Sequence, residues 1–292
     1  MSLDLMLDHV GVAVNSLDAG KAAYERMGFR LTARSYHKGA TEPGGPVVPW
    51  GSGNHCAMFR EGYLEILGIF DPSMPSNAKK LLAKYEGAHI VAFGIDQPAD
   101  EAYQVLSARH PGLKPPMTLQ RMAPFGRNDE TEKLAEFRNI NADPEMFPEG
   151  RFIFIEHRTR DVLWQPHLLD HPNGVLGLAE VAIASADVPG TVERLARVLG
   201  AAPNDKGHGI FTFELARGTV YVLPGAMVGK WAKGVEPPHV PYIAGFGVRV
   251  KDLAATTALL DANGVPYQRH PYPAVWVAPA FTCGPVVSFI QA

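Results

Sequence analysis

The chain has 292 residues, of which 46 % are hydrophobic and 20 % are charged, and its formal net charge is −3. This composition is ordinary for a globular protein of about two domains, and the absence of a basic cluster argues against nucleic acid as a partner. The two cysteines, Cys56 and Cys283, are far apart and predict a reducing compartment. We find no signal-peptide pattern and no apolar run long enough to cross a bilayer, so we expect a cytoplasmic protein without a membrane partner.

The first predicted element is a strand with the sequence LDHVGVAV, residues 7–14. A helix follows it, because Asn15 or Ser16 can cap its start and Gly28 can end it. Three more strand-like segments complete the unit, and their sequences are RLTARSYH, NHCAMFR and GYLEILGIF. The predicted order is therefore one strand, one helix and three strands.

This order recurs three more times along the chain. The later helices end at Gly112, Gly200 and Gly264, and each follows an apolar strand such as HIVAFGID or IAGFGVRV. A recurring unit of this length indicates one supersecondary module that is used four times. Since a helix covers only one face of each module, the modules are expected to pair through the other face.

The sequence thus predicts an α+β protein in which four βαβββ modules pair into two curved mixed-sheet half-barrels. We place an N-terminal pair of modules at residues 1–165 and a C-terminal pair at residues 176–292. Between them lies a linker in which His167 and His171 are predicted to serve turn structure, with a loop over the site as the alternative. The charged stretch 127–139 is predicted to be an exposed helix.

His9 is an ionisable residue in an otherwise apolar strand. Alternation places it on the face opposite the valines of the same strand, together with small residues. His89 has the same position in the first strand of the second module, and Glu65 and Glu156 lie in the fourth strands of the first two modules. Because acidic residues are rarely buried unless they are paired or bound to a metal, these four side chains are predicted to converge.

Two histidines and two carboxylates suit a divalent metal ion such as Zn, Ni, Co, Mn or Fe(II). The structural alternatives are a hydrogen-bonded core position for His9 and an edge-strand ion pair for Glu65. A register shift of one residue would also turn His157 inward in place of Glu156. Glu156 is preferred because it continues the alternation of the apolar residues before it.

The second half of the chain offers an internal comparison. Its modules carry Glu180 and Gly245 at the histidine position, and Tyr221 and approximately Val287 at the carboxylate position. The ligand pattern is therefore missing there. We expect the second half to close or shape the site rather than to bind a metal.

The module order and the segments LDHVGVAV and YLEIL resemble the vicinal oxygen chelate superfamily, and in particular its glyoxalase-like branch. The resemblance implies that His9, Glu65, His89 and Glu156 hold a divalent metal in the pattern of glyoxalase I. It also implies a lyase or isomerase whose metal binds two adjacent oxygens of a small substrate and stabilises an enediolate-type intermediate. Glu156 is then the candidate catalytic base.

Two other functions stay open. An extradiol-type Fe(II) dioxygenase of the same superfamily needs two histidines and one carboxylate, which His9, His89 and Glu156 could supply, although Glu65 would then be superfluous. A non-catalytic protein could use the same cleft to bind a small molecule. In each case the expected partner is a small molecule, and a homodimer is compatible with the sequence.

Overall fold

A computed structural model describes residues 3–42 and 44–292. The described strands are β1 (Met6–Val14), β2 (Ser35–Ala40), β3 (Val47–Met58), β4 (Tyr63–Ile69), β5 (Gly87–Gly94), β6 (Met117–Phe125), β7 (Thr131–Asn141), β8 (Arg151–His157), β9 (Val175–Ser185), β10 (Asn204–Asp205), β11 (Phe211–Glu214), β12 (Thr219–Pro224), β13 (Tyr242–Val250), β14 (Tyr267–Arg269), β15 (Ala274–Val277) and β16 (Val286–Gln291). The described helices are α1 (Leu17–Arg26), α2 (Ala78–Leu82), α3 (Ala99–Arg109), α4 (Arg160–Leu163), α5 (Val188–Leu199), α6 (Val228–Trp231) and α7 (Leu253–Ala262), with short 3-10 turns at Pro166–Leu168, Gly225–Met227 and Pro279–Phe281. None of these helices has the length and hydrophobicity needed to cross a membrane.

These elements form four βαβββ modules, which confirms the predicted α+β fold class. Module one contains β1–β4 and α1, and module two contains β5–β8 and α3. Module three contains β9–β12 and α5, and module four contains β13–β16 and α7. The short helices α2, α4 and α6 lie in the connections that follow the modules.

The modules pair through their first strands. β1 is antiparallel to β5, and β9 is antiparallel to β13. Within each module the fourth strand lies parallel to the first, which curves the sheet into a half-barrel. The two half-barrels meet where Ile243 of β13 pairs with Ala88 of β5. The division of the chain into residues 1–165 and 176–292 follows this pairing and stays a prediction.

Helices α1, α5 and α7 end next to the glycines predicted to stop them, whereas α3 ends at Arg109, before Gly112. The Ser16 hydroxyl accepts a hydrogen bond from the Ala19 amide at 3.3 Å and caps α1. The chain leaves α1 at Gly28 with a φ of +83° and leaves α5 at Gly200 with a φ of +64°. Glycine adopts this left-handed conformation without the steric cost that a Cβ atom brings.

The helix-covered face of the sheet forms one continuous core. Its buried side chains come from all four modules, with Val12, Phe93, Ile183 and Phe246 as examples. Smaller apolar clusters lie on the opposite, concave faces of the two half-barrels. Each half-barrel therefore has its own concave face, although the two share the core beneath their helices.

Modules one and four are in direct contact through α1. The Tyr24 hydroxyl donates a hydrogen bond to the Thr282 carbonyl at 2.9 Å. The Arg26 guanidinium donates to the Asn263 carbonyl at 2.8 Å. These contacts join residues that are 258 and 237 positions apart in the chain.

The linker between the half-barrels packs beneath module one. His171 is buried, its Nε2 donates to the Met58 carbonyl at 2.7 Å, and its Nδ1 accepts from the Arg30 amide at 2.9 Å. Asn173 donates to the Met27 carbonyl at 3.0 Å. The role of His171 is therefore structural, but its ring makes long-range contacts with module one rather than the turn contacts predicted from the sequence.

We expect the substitution His171→Leu to lower the free energy of unfolding by about 2 kcal/mol, because two buried backbone groups lose their partner. Burial lowers the pKa of His171 from its ordinary value of 6.5. The unfolded chain therefore binds more protons at this residue, so its contribution to stability is complete above pH 6.5 and is lost as the pH falls toward the folded-state pKa.

Urea unfolding of the wild type and of His171→Leu at pH 7.5 and pH 5.5 tests this prediction. The difference between the two proteins is expected to be larger at pH 7.5 than at pH 5.5. The substitution His208→Asn is the control, because His208 is exposed and asparagine tolerates its positive φ. A difference that grows at low pH would contradict the assignment of a buried neutral imidazole.

Residues 131–141 form β7, so the helix predicted over 127–139 is wrong. Glutamate, lysine, leucine and alanine favour a helix in isolation. Here the segment pairs with β6 on one side and with β8 on the other, and this pairing overrides the local preference. The β6–β7 hairpin brings Arg121 and Phe137 to the concave face of the first half-barrel.

Candidate active site

A bulge in β1 interrupts the alternation of its side chains just before His9. Leu7 pairs with Phe93 and His9 pairs with Ala92, so Asp8 is one extra residue in β1. Leu7 therefore joins the helix-covered core, whereas His9 lines a cavity on the concave face of the first half-barrel. From His9 onward the strand alternates as the sequence predicted.

Asp8 forms the buried centre of this site. His9 Nδ1 lies 2.8 Å from its Oδ1, and His157 Nε2 lies 3.1 Å from both of its oxygens. Burial alone would raise the pKa of Asp8, but the attraction and hydrogen bonds of His157 and His9 outweigh it and hold this pKa well below its ordinary value. Asp8 is therefore an ionised carboxylate, and both histidine nitrogens donate to it.

The hydrogen bond to Asp8 fixes the tautomer of His9. Because Nδ1 donates its proton to the carboxylate, Nε2 is the nitrogen that carries the free lone pair of the neutral ring. In the part of the chain that the structure describes, Nε2 has no hydrogen-bond partner. The ring stacks on Tyr63 with centroids 4.3 Å apart, and Trp164 packs against the edge of Tyr63. These contacts hold the plane of the imidazole.

The cavity that His9 lines has a volume of about 250 Å³. A second cavity of about 200 Å³ adjoins it, and the two share Asn54, Cys56 and Arg121. His167 of the linker lines this second cavity. The polar side chains around the first cavity are His9 of β1, His37 of β2, Asn54 of β3, Tyr63 and Glu65 of β4, Gln120 and Arg121 of β6, Asn139 of β7 and Arg151 of β8.

Glu65 lies in the same cavity as His9. Its carboxylate accepts a hydrogen bond from the Asn54 side-chain amide. His37 stands nearby, with Nδ1 3.1 Å from the Ser52 hydroxyl. Burial lowers the pKa of His37 despite the opposing attraction of Glu65, so this ring is neutral at pH 7.

Two arginines give the cavity its positive charge. Arg121 Nη1 donates to the Ser35 hydroxyl at 2.8 Å, and Arg151 Nη2 donates to the Asn141 side-chain oxygen at 3.2 Å. Each guanidinium keeps further N–H groups for a ligand. The ionised Asp8 is taken up by its bonds to His9 and His157, and Glu65 lines the cavity, so the guanidinium N–H groups of both arginines face the space as donors for an oxyanion.

His89 lies away from this cavity. The register between β5 and β1 shifts at His89, which makes it a bulge residue. Its Nε2 donates to the Tyr85 carbonyl at 2.9 Å, and its ring stacks on Tyr85 with centroids 4.0 Å apart. Tyr85 belongs to the apolar cluster on the concave face of the second half-barrel. The bulge therefore directs His89 away from His9, although the two share a position in the repeat.

Glu156 caps a helix. Its Oε2 accepts a hydrogen bond from the Ala99 amide at 2.9 Å, at the start of α3. Glu156 lies on the same face of β8 as Phe152 and Phe154, as predicted. That face packs beneath the helices and does not face the cavity. Of the two neighbouring residues, His157 and not Glu156 turns toward Asp8.

The four residues predicted as metal ligands thus occupy three places. His9 and Glu65 share a cavity, whereas His89 and Glu156 bond to backbone groups elsewhere. Across residues 3–42 and 44–292, no three His, Cys, Asp or Glu side chains are grouped so that they could hold a metal ion. The four side chains as placed do not fit one divalent ion. The same holds for the dioxygenase set, which also needs His89 and Glu156.

The position of Glu156 leads to a prediction that separates a helix cap from a catalytic base. We expect Glu156→Ala to lower the free energy of unfolding by about 1 kcal/mol, because the Ala99 amide loses its acceptor. Glu156→Gln keeps an acceptor oxygen, so it should retain most of this stability and the catalytic rate of the wild type. Urea unfolding measures the stability, and exchange of substrate protons with solvent measures the rate. Loss of the catalytic rate in a Glu156→Gln protein that keeps its stability would restore the role of base predicted from the sequence.

Comparison with known families agrees with this architecture. A family model described as a glyoxalase-like domain matches residues 7–199. The chain belongs to this family. The match covers the first half-barrel of the glyoxalase-like protein and continues to the end of α5. No curated protein matches the sequence.

Solved structures show the same fold at low identity. A hypothetical protein from Staphylococcus aureus is 11 % identical, with a TM-score of 0.65 over 99 % of this chain and 100 % of that one. A variant of 4-hydroxymandelate synthase from Streptomyces coelicolor is 12 % identical, with a TM-score of 0.59 over 100 % of this chain and 93 % of that one. A Mn(II)-bound glyoxalase from Novosphingobium aromaticivorans is 13 % identical, with a TM-score of 0.59 over 100 % of this chain and 83 % of that one. The glyoxalase-like chain therefore has the fold of the vicinal oxygen chelate superfamily.

The sequence did not single out Asp8, His37 or Arg121 as members of the site in the glyoxalase-like chain, and it offered His157 only as an alternative. Asp8 had a visible signal, since an acidic residue stands next to His9 in an apolar strand. His157 was considered only as the result of a register shift. His37 lies in the polar segment SYHKGA, which carries no mark that separates it from an exposed strand.

Proposed function

We propose that this glyoxalase-like protein is a lyase or isomerase that moves a proton on a small anionic substrate in the cavity of the first half-barrel. The observation that carries the proposal is the hydrogen bond between the Asp8 carboxylate and His9 Nδ1. A carboxylate in this position orients an imidazole and stabilises the imidazolium that forms when the ring accepts a proton. His9 is therefore the proposed general base, acting through Nε2.

The charges of the cavity support the substrate class. Arg121 and Arg151 can bind a carboxylate or another oxyanion, and guanidinium groups bind carboxylates in a bidentate manner. The same positive charge would stabilise the enolate oxygen that develops when a proton leaves the carbon next to a carbonyl. Glu65, held by Asn54, can accept a hydrogen bond from a substrate hydroxyl.

The size of the cavity limits the substrate further. A volume of about 250 Å³ is below the range that is usual for drug-sized ligands. The adjoining cavity near His167 adds about 200 Å³ for a longer substituent. We therefore propose small 2-oxo and 2-hydroxy acids, which combine an anionic group with two adjacent oxygens, as the substrate class.

Proton exchange with solvent tests the proposed chemistry without knowledge of the product. The protein is incubated in D2O with 2-oxobutyrate, hydroxypyruvate or 2-oxoglutarate, and proton NMR follows the signal of the hydrogens next to the carbonyl. We expect exchange that is faster than in protein-free solution, and we expect Arg121→Met to weaken acid binding. If these acids bind but no exchange occurs, the protein is a binding protein rather than an enzyme. If the acids do not bind and no exchange occurs, the proposal is overturned.

A further inference from the structure

The concave face of the second half-barrel holds a separate cavity of about 460 Å³. Its wall is mostly apolar and aromatic, and it contains one acidic residue, Glu180. The lining residues are Glu180, Ala182, Ile210, Tyr221, Leu223, Trp231, Tyr272 and Ile290. This cavity shares no lining residue with the two cavities of the first half-barrel.

Glu180 is held in the wall of this cavity by its strand neighbours. It lies in β9 between Thr219 of β12 and Gly247 of β13. A Cβ atom on Gly247 would collide with the Glu180 side chain, so the glycine leaves the room that this side chain occupies. In the described ranges of the chain, the Glu180 carboxylate makes neither a hydrogen bond nor an ion pair.

An unpaired carboxylate in an apolar wall is unfavourable unless it is protonated or meets a cation. Burial raises the pKa of Glu180 to about 7, in accordance with its missing partner. Three aromatic side chains stand around the same space, namely Tyr221, Trp231 and Tyr272. Aromatic faces attract organic cations, and a carboxylate adds a direct counter-charge.

We propose that the cavity of the second half-barrel binds a small organic cation, an amine with an apolar or aromatic substituent, whose ammonium group pairs with Glu180. The aromatic side chains surround the charge, and Ile210, Leu223 and Ile290 contact the substituent. This site is independent of the proposed proton transfer in the first half-barrel. It also gives the second half a ligand of its own, where the sequence predicted only a shaping role.

Two probes of similar size and different charge test the proposal. Isothermal titration at pH 8 compares benzylamine, which is a cation, with benzyl alcohol, which is neutral. We expect benzylamine to bind at least tenfold more tightly than benzyl alcohol. Equal affinities would show that the cavity only selects apolar molecules, and absence of benzylamine binding would also overturn the proposal.

Substitutions assign the binding to this cavity. Glu180→Gln should weaken benzylamine binding at least tenfold and leave the affinity for benzyl alcohol unchanged. Glu193→Gln is the matched control, because Glu193 is exposed on α5, pairs with Arg197 and does not line the cavity. Tyr221→Leu keeps the carboxylate and removes one aromatic face, so it should weaken benzylamine as well. An unchanged benzylamine affinity in Glu180→Gln contradicts the proposal.

The pH dependence provides an independent test. Tyr221 and Tyr272 face Glu180, and burial raises the pKa of both, so they stay uncharged. His270 stacks on Tyr272, and burial lowers its pKa below 6.5. Benzylamine affinity should rise roughly tenfold between pH 6 and pH 8 as the Glu180 carboxylate ionises, and Glu180→Gln should remove this rise, because His270 is present in both proteins. An affinity that falls as the pH rises would show that the ligand needs the protonated acid, which contradicts a cation.

Discussion

Replacement of His9 by glutamine is expected to reduce the exchange of protons between small 2-oxo acids and solvent by roughly 10²- to 10⁴-fold, the usual contribution of a positioned general base. Glutamine has a similar length and hydrogen-bonding capacity, but its amide accepts no proton at neutral pH. The ring that stacks on Tyr63 is lost as well, at a cost of about 1 kcal/mol in stability. Proton NMR in D2O measures the exchange, and urea unfolding measures the stability.

The matched control for this experiment is His208→Asn, an exposed histidine outside the cavity. It should exchange protons at the wild-type rate. Binding of the acid should survive in His9→Gln, since Arg121 and Arg151 are still present. If exchange continues at the wild-type rate in His9→Gln, another residue is the base. Glu65 is then the next side chain to test, because it lines the same cavity.

Replacement of Asp8 by asparagine is expected to lower the free energy of unfolding by about 3 kcal/mol, because a buried hydrogen-bonded charge loses its interaction with two histidines. The same change should slow proton exchange, since an amide can orient its NH2 group toward His9 and favour the wrong tautomer. Asp4→Asn is the control. Asp4 is exposed and lies just before the same strand.

The pH dependence of this effect has a defined sign. The pKa of Asp8 in the folded protein lies below its ordinary value of 3.8, so the unfolded chain binds more protons at this residue. Its contribution to stability is therefore complete above about pH 4 and decreases as the pH falls toward the folded-state pKa. Wild type and Asp8→Asn should converge in stability at low pH. A constant difference from pH 7 down to pH 3 would contradict an ionised Asp8.

The fold was predictable because it is repeated. Four copies of the same order of elements, with a glycine after each helix, constrain the topology more strongly than any single segment does. The prediction was wrong at β7, where strand partners that are distant in sequence outweigh the helix preference of glutamate, lysine and leucine. Such partners are visible only when the sheet is assembled.

The candidate site was predictable only in part. His9 and Glu65 lie in one cavity because regular alternation holds from His9 along β1 and around Glu65 in β4. An alignment of the four module sequences does not reveal a β-bulge. The bulge at His89 changes the direction of this side chain, so its position in the repeat did not predict its location. At Glu156 the alternation was correct, but the face assigned to the concave side was the one beneath the helices.

The contact between α1 and module four also affects how the protein is made. During synthesis, α1 leaves the ribosome more than 230 residues before Thr282 and Asn263, the partners of Tyr24 and Arg26. At about 5–20 residues per second, these two side chains wait for at least ten seconds or so before their partners exist. The strands of module one that α1 covers are made sooner, so the contact with module four forms only after module one can fold.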